Sequence, residues 1–336
     1  MKRSIRKCLR KCLIALPAAL AGAALLALAP AAGAQEPYPS KPIRLVVPWT
    51  AGGTTDLVAR TVAERLGQRL GQPVVVENRP GATGQIGSQQ VARAAPDGYT
   101  LLLMAATVHT VSPNLQKSFP FDPIDDFTPI SQVVSFPYVM VVSAASPFKT
   151  VADLAEAARK APGTVSYGSF GLSSAPYLIS ELFAMSTGTK LLHVPYKGAA
   201  PAIQDLIGGQ INFFIDSLPS PLAQVRAGTL RALSVTTPKR SALLPDTPAM
   251  AETLPGFEAI AWIGIGGPKD MPAPIAGRLN GELKAIAAEP AYQARLRELG
   301  LEAAASESPA QFRGWLGEQK QYWGNFVRKA GIPVGE

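Results

Sequence analysis

Alternation between two kinds of segment dominates this chain from residue 43 onward. Short runs rich in β-branched residues and leucine take turns with longer stretches rich in alanine, leucine and arginine. Residues 43–49 predict a buried strand, and Thr54–Leu70 predicts a helix because its apolar residues recur along one face. The same alternation continues to residue 236. This pattern is typical of α/β proteins whose largely parallel sheets are flanked by helices.

The predicted elements fall into two units. An apolar run at residues 138–142 begins a second series of strands and helices, and another apolar strand is predicted at residues 259–265. The helical C-terminal third needs a sheet to cover, and the first unit is short of helices. We therefore expect two lobes with two hinge crossings and a cleft between mixed or parallel sheets. Lobe 1 would comprise residues 35–137 plus 259–336, and lobe 2 residues 138–258.

The first 34 residues have the three-part pattern of an export signal. Six basic residues precede residue 12, an apolar stretch covers residues 13–29, and Ala32-Gly33-Ala34 resembles a cleavage site. We expect cleavage after Ala34, which would leave a soluble exported chain. An uncleaved membrane anchor is the alternative, which the proline and glycine within the apolar stretch disfavour. Cys8 and Cys12 lie in the part removed, so the expected mature chain has no disulfide, thiol catalyst or cysteine-bound metal.

Charge and motifs argue against several classes of function. The net charge of +8 falls to +2 without the six basic residues near the start, since 26 basic residues then face 24 acidic ones. Charge therefore gives no support for nucleic-acid binding. His109 and His193 lie far apart in sequence, with no zinc motif, nucleophile elbow or phosphate loop. We expect no metal, no cofactor and no enzyme activity, although a triad assembled from distant residues stays open.

Candidate binding residues lie in loops that follow predicted strands. At such positions small residues and helix N-termini favour bound anions. The alternative is that these residues form turns and helix caps, and Asp216 could either accept a hydrogen bond from a ligand ammonium or cap a helix. The candidates are Trp49, Thr50, Gly53, Thr54 and Asp56 in the first loop, Gly81, Ala82, Thr83 and Gly84 in the second, and Thr107, Ser169, Ser173, Ser174, Tyr196, Lys197 and Asp216 after later strands.

Five sequence strings together carry a family resemblance. They are VVPWTAGGTTDLVAR, VENRPGATGQIGSQQVARAAPDGYTLL, SYGSFGLSS, HVPYKGAAPAIQDLIGGQINFF and LPSPLAQVRAGTLRALSVTT. In this order and spacing the chain resembles the Bug-type extracytoplasmic solute receptors, which are associated with tripartite tricarboxylate transporters. The resemblance covers residues 38–332. It implies a periplasmic two-lobed type II binding protein, here expected to be monomeric, that closes on a small carboxylate and serves membrane transporter components.

The resemblance also implies how the ligand is held. A ligand carboxylate would bind the backbone amides of residues 81–84 and the serine loop with Ser169, Ser173 and Ser174, while residues 49–56 contact the rest of the ligand. The chain departs from the family pattern at Thr83, where glycine is common, and at Ala175-Pro176-Tyr177, where a histidine is frequent. Expected ligands are a di- or tricarboxylate, an acidic amino acid or an aromatic carboxylate. A secreted hydrolase and a receptor that signals to a membrane sensor are the alternatives.

Overall fold

The computed structural model describes residues 38–172, 174–332 and 334–335. The predicted signal peptide lies outside the described residues. The chain divides into two units, residues 1–40 and 41–336, and the described helices and strands all belong to the second. Within the described ranges, no helix combines the length and apolar character needed to cross a membrane.

Strands and helices alternate as the sequence predicts, and the α/β class is confirmed. Several elements, among them the first helix, have the predicted bounds. In chain order the described elements are β1 (Ile43–Val47), α1 (Thr54–Leu70), β2 (Val74–Asn78), α2 (Gln85–Ala92), β3 (Thr100–Ala105), β4 (Phe127–Ser143), α3 (Val151–Lys160), β5 (Ser166–Ser169), α4 (Ala175–Thr187), β6 (Leu192–Pro195), α5 (Ala199–Ile207), β7 (Phe213–Ser217), α6 (Leu222–Arg226), β8 (Leu230–Val235), β9 (Ile260–Pro268), α7 (Ala273–Ala287), α8 (Pro290–Glu298), β10 (Glu302–Ala303) and α9 (Pro309–Lys329).

The strands form one hydrogen-bonded sheet with the order β2-β1-β3-β9-β4-β7-β5-β6, while β8 and β10 also pair with β4. Parallel pairs join β1 to β2 and β3, and join β5 to β6 and β7. The central strands β9 and β4 run antiparallel to each other. Two groups of strands, β1–β3 with β9 and β5–β8, are expected to form separate sheets. Both groups pair with β4, which links them into one sheet.

Strand β4 is much longer than the sequence predicts. Its residues 127–137 pair with β9, and from Tyr138 onward it pairs with β7 and β8. The first half escaped prediction because Pro129 and Pro137 read as a proline-rich connection, and proline is rare inside sheets. The pairing with β9 shifts register after Pro129 and again after Gln132. Such bulges are typical of strands that contain proline.

Two apolar clusters lie among the described residues, one for each group of strands. In the first, Phe312 and Leu316 of α9 pack with Val46 and Trp262 of the sheet. The rings of Trp262 and Phe312 meet edge to face at 5.8 Å, a favourable aromatic geometry. The second cluster includes Phe214 of β7 together with residues of α5 and α6. Each group of strands is therefore covered by apolar helix faces.

Thr236 connects the two places where the chain passes between the strand groups. Its fully buried hydroxyl accepts a hydrogen bond from the amide of Tyr138 at 3.0 Å and donates one to the carbonyl of Ala259 at 2.6 Å. Its backbone also bonds both residues, to the carbonyl of Tyr138 and from the amide of Ala259. One threonine thus ties β4 to the segment that leads into β9.

We expect Thr236→Val to lower the free energy of unfolding by about 2 kcal/mol, because it leaves buried backbone groups without their hydroxyl partner. Urea denaturation measures the change. Thr237→Val is the matched control, since the Thr237 hydroxyl lies at the surface and bonds only the carbonyl of Lys239 among the described residues. Equal destabilisation by both variants would contradict the role given to Thr236.

Candidate ligand-binding cavity

A cavity of about 540 Å³ opens where loops from both strand groups meet. Its volume lies in the range of small-molecule sites. Aromatic side chains form much of its wall: Trp49, Phe136, Tyr138, Phe170 and Trp262. Among the described lining residues there is no lysine, arginine or histidine, and the other polar side chains are Thr54, Thr55, Thr83, Thr107, Ser174, Asp216 and Ser217.

Two helices begin at this cavity. Helix α1 starts with Thr54 and Thr55, both of which line it, and its N-cap Gly53 supplies no side-chain cap. Helix α4 contributes its first residues Ala175 and Pro176 to the wall. The unpaired amides and the dipole at a helix N-terminus favour negative charge. The groups at this wall that favour an anion therefore belong to the backbone, since its described side chains include no cation.

The glycine-rich loop reaches the cavity through Thr83. Residues Gly81, Ala82, Thr83 and Gly84 all have positive φ, at 139°, 45°, 53° and 97°. Within the described part of the chain, the amides of Ala82 and Thr83 have no hydrogen-bond acceptor. Left-handed backbone is costly for threonine, which explains physically why glycine suits this position. A Cβ on Gly84 would lie 3.1 Å from the Trp49 ring, so this glycine lets the ring pack closely.

The serine loop is shaped by its own hydrogen bonds. Ser174 caps α4 by accepting from the amide of Tyr177, and its hydroxyl donates to the carbonyl of Gly171 at 2.7 Å. It lines the cavity, but its hydroxyl is already engaged. Ser169 is fully buried and does not line the cavity. Ser173 lies outside the described residues.

Asp56 holds the first loop in place. Its buried carboxylate accepts hydrogen bonds from the Gly52 amide, from Arg60 and from Asn78, and Asn78 also donates to the carbonyl of Trp49. The bond from Arg60 is the main cause that lowers the pKa of Asp56 to about 2. Asp56 does not line the cavity, so the structure gives it a part in positioning Trp49 and Thr54.

Asp216 does line the cavity, at the end of β7. It is 5% exposed and accepts a hydrogen bond from the amide of Ser217 at 2.8 Å. Burial raises the pKa of its carboxyl to about 6, against the opposing effect of hydrogen bonds from Ser220 and Ser217. The charge on Asp216 also contributes to raising the pKa of the neighbouring Tyr138 phenol, after burial itself.

The structure thus brings six of the predicted residues to one cavity: Trp49, Thr54, Thr83, Thr107, Ser174 and Asp216. Other candidates lie elsewhere in their loops. The Tyr196 hydroxyl donates to Asp205, and Thr50, Gly53 and Lys197 are exposed outside the cavity wall. Sequence reasoning missed the wall residues Phe136, Tyr138 and Trp262, because they lie within apolar strands that carry no binding signal.

A histidine–serine pair bears on the hydrolase alternative. The Ser169 hydroxyl lies 2.5 Å from Nε2 of His193. However, Ser169 is fully buried and also accepts from the amide of Gly171, so its oxygen is not open to a substrate. The nearby Glu181 carboxylate is instead bonded to the hydroxyl of Tyr167. The geometry therefore does not favour a nucleophilic triad. No metal-binding group of three acidic, cysteine or histidine residues occurs in the described ranges.

The sheet and its cavity are those of a solute-binding protein, and the solved structures to which the chain is similar include periplasmic binding proteins. The chain is similar to the solved structure of R. palustris Rpa4515 with adipate, at a TM-score of 0.77 and 36% identity, covering 88% of this chain and 99% of that one. It is also similar to MatC from Rhodopseudomonas palustris with bound malate, at a TM-score of 0.73 and 29% identity, covering 86% and 100%.

More particularly, the chain belongs to the tripartite tricarboxylate transporter family of receptors, whose family model matches residues 58–332. Among its relatives is the protein BugT of Bordetella pertussis (strain Tohama I), which is 36% identical over 300 residues. That match covers 88% of this chain and 91% of BugT. The Bug-type resemblance of the sequence strings is thereby confirmed.

We expect Asp56→Ala to lower the free energy of unfolding by about 2 kcal/mol, because it removes charge-assisted hydrogen bonds to a buried carboxylate. Asp56→Asn retains an acceptor for Gly52 and should cost less. Because the folded pKa is depressed, the stabilising effect is present above the unfolded pKa near 3.8 and is lost as pH falls towards 2. Urea denaturation at several pH values measures the free energy of unfolding. Equal effects of the two variants would argue against the stabilising role of these hydrogen bonds to Asp56.

The opposite pH dependence is expected of Asp216. Its folded pKa of about 6 exceeds the unfolded value of 3.8. Its contribution to stability is therefore fully present below pH 4 and is lost as pH rises through 6. Relative to Asp216→Asn, the wild-type chain should lose about 2 kcal/mol of unfolding free energy between pH 4 and pH 7. Parallel pH–stability curves for the two proteins would refute this assignment.

Proposed function

We propose that this chain is a periplasmic receptor that reversibly captures a small carboxylate in the described cavity and delivers it to the membrane components of a tripartite tricarboxylate transporter. The single observation that carries the proposal is the nature of the anion-attracting groups. Helix N-termini and backbone amides contribute to a wall whose described residues include no cationic side chain. Relatives of the same fold hold adipate and malate, which are both small carboxylates.

Binding would proceed by closure of the two proposed lobes, residues 35–137 plus 259–336 and residues 138–258. The wall contains residues from both, such as Trp49 of the first and Phe170 of the second. Closure would remove water from the hydrogen bonds to the carboxylate and strengthen them. It would also couple occupancy to the shape that a transporter recognises. The tie through Thr236 lies at both proposed crossings.

The proposal includes export and cleavage after Ala34, a monomeric receptor and no enzymatic step. In it, the amides of Gly81, Ala82 and Thr83 hold the carboxylate, assisted by the start of α4 after Ser173 and Ser174. Gly84 closes the turn instead, because its amide already donates to the carbonyl of Gly81 at 2.9 Å. Trp49, Thr54 and Thr107 contact the remainder of the ligand. Ser174 would hold the start of α4 in place rather than bind the ligand, because its hydroxyl already donates to the carbonyl of Gly171.

We expect a thermal-shift screen of the protein purified from the periplasm to single out carboxylates. The panel contains aliphatic dicarboxylates, tricarboxylates, acidic amino acids and aromatic carboxylates, each with its uncharged amide as a control. A ligand at 100 times its Kd stabilises the folded form by about 2.7 kcal/mol, while its amide should give little shift. Equal shifts from an acid and its amide would contradict anion recognition.

Two substitutions at one residue sharpen the test. Aspartate and asparagine both tolerate left-handed backbone, so Thr83→Asp and Thr83→Asn should both fold. Thr83→Asp places a negative charge at the amides of the glycine-rich loop and should weaken binding of the best carboxylate at least tenfold relative to Thr83→Asn. Isothermal titration measures both affinities. Similar affinities would remove this loop from the proposed site.

A further inference from the structure

Asp216 is the only charged side chain among the described residues that line the cavity. A buried carboxylate is costly unless it is paired or hydrogen-bonded. Here its described hydrogen-bond donors are the amide of Ser217 and the hydroxyls of Ser217 and Ser220, all uncharged. The other lining residues that the structure describes include no cation. The negative charge on Asp216 is thus left without an opposite charge in the cavity.

Asp216 and the glycine-rich loop proposed to hold the ligand carboxylate belong to different strand groups. Asp216 belongs to β7 and lies opposite Val139 in the pairing of β7 with β4. The glycine-rich loop and the start of α1 follow β2 and β1, which belong to the other strand group. A ligand that spans the cavity would therefore meet the amides of the glycine-rich loop and of α1 on one side, and Asp216 together with the start of α4 on the other.

These surroundings discriminate between ligands by charge. A second carboxylate beside Asp216 would place two like charges in a cavity whose wall holds no cation, which is unfavourable at low dielectric. A hydroxyl or ammonium group would instead donate a hydrogen bond to Asp216. The rings of Tyr138, Phe136 and Phe170 would cover an apolar ligand body and interact favourably with a cation.

We propose that Asp216 makes this receptor selective for a monocarboxylate that carries a hydrogen-bond donor, a hydroxyl or an ammonium group, over a dicarboxylate of the same length. The proposal rests on the proposed function, since it names the ligand class of that same cavity. Specificity of this kind combines an attraction to one ligand with a repulsion of its competitor. Asp216 supplies both.

Two matched ligand series test the selectivity. The first is hexanoate, 6-hydroxyhexanoate, 6-aminohexanoate and adipate, which share a chain length and differ at one end. The second is benzoate, 4-hydroxybenzoate, 4-(aminomethyl)benzoate and terephthalate, which share a ring. Isothermal titration at pH 7.5 uses the protein purified from the periplasm. In at least one series the hydroxyl or ammonium ligand should bind about tenfold more tightly than the dicarboxylate, and the tighter of those two ligands identifies the donor.

The Asp216→Asn variant should reduce that preference to threefold or less, mainly by improving dicarboxylate binding. Asp205→Asn is the matched control, because Asp205 lies outside the cavity wall and accepts a hydrogen bond from Tyr196. That control should retain the wild-type preference. Tightest binding by the dicarboxylate, or a preference unchanged in Asp216→Asn, would overturn the selectivity and leave the carboxylate receptor standing. Failure of every ligand in both series would overturn the proposed ligand class, and the wider thermal-shift screen decides the receptor proposal separately.

Discussion

Strand β4 is the constraint on which the other parts of this structure depend. It pairs with β9 along its first half and with β7 and β8 along its second, so the two groups of strands are joined through it. The hydroxyl of Thr236 then ties its midpoint to the segment that leads into β9. Loops from two strand groups therefore meet at a common place, and the cavity lies there. Its wall includes Phe136 and Tyr138, which lie on either side of the point where the pairing changes.

In the proposed binding mode, backbone geometry rather than side-chain charge gives the cavity its affinity for anions. Helices α1 and α4 both begin at its wall, and the glycine-rich loop presents amides from a run of left-handed residues. Side chains outside the wall hold these parts in position. Asp56 links the loop after β1 to Asn78 at the end of β2, and Ser174 fastens the turn before α4. The polar candidates therefore divide into groups that line the cavity and groups that position its loops.

The sequence predicts much of this fold, because hydrophobic periodicity and β-branched runs are local signals. It marks most helices and strands and places loops such as the one with Thr83 after strands. Local signals fail where pairing partners override them. The first half of β4 contains two prolines, and β10 has only two residues. They also fail for wall residues such as Trp262, because an apolar residue in a strand gives no indication of which cavity it faces. Whether a polar residue binds or positions, as with Asp56, depends on contacts that only the folded chain displays.

The proposed binding of the carboxylate by backbone amides has a consequence for how such receptors diverge. Any sequence that preserves the turns and helix starts supplies the same amides, whichever side chains it carries. Substitutions among the wall residues, such as Phe136 or Phe170, can therefore change the size and chemistry of the ligand body during evolution. The carboxylate grip need not be rebuilt each time. A scaffold of this kind suits divergence after gene duplication, because each copy can come to bind a different ligand.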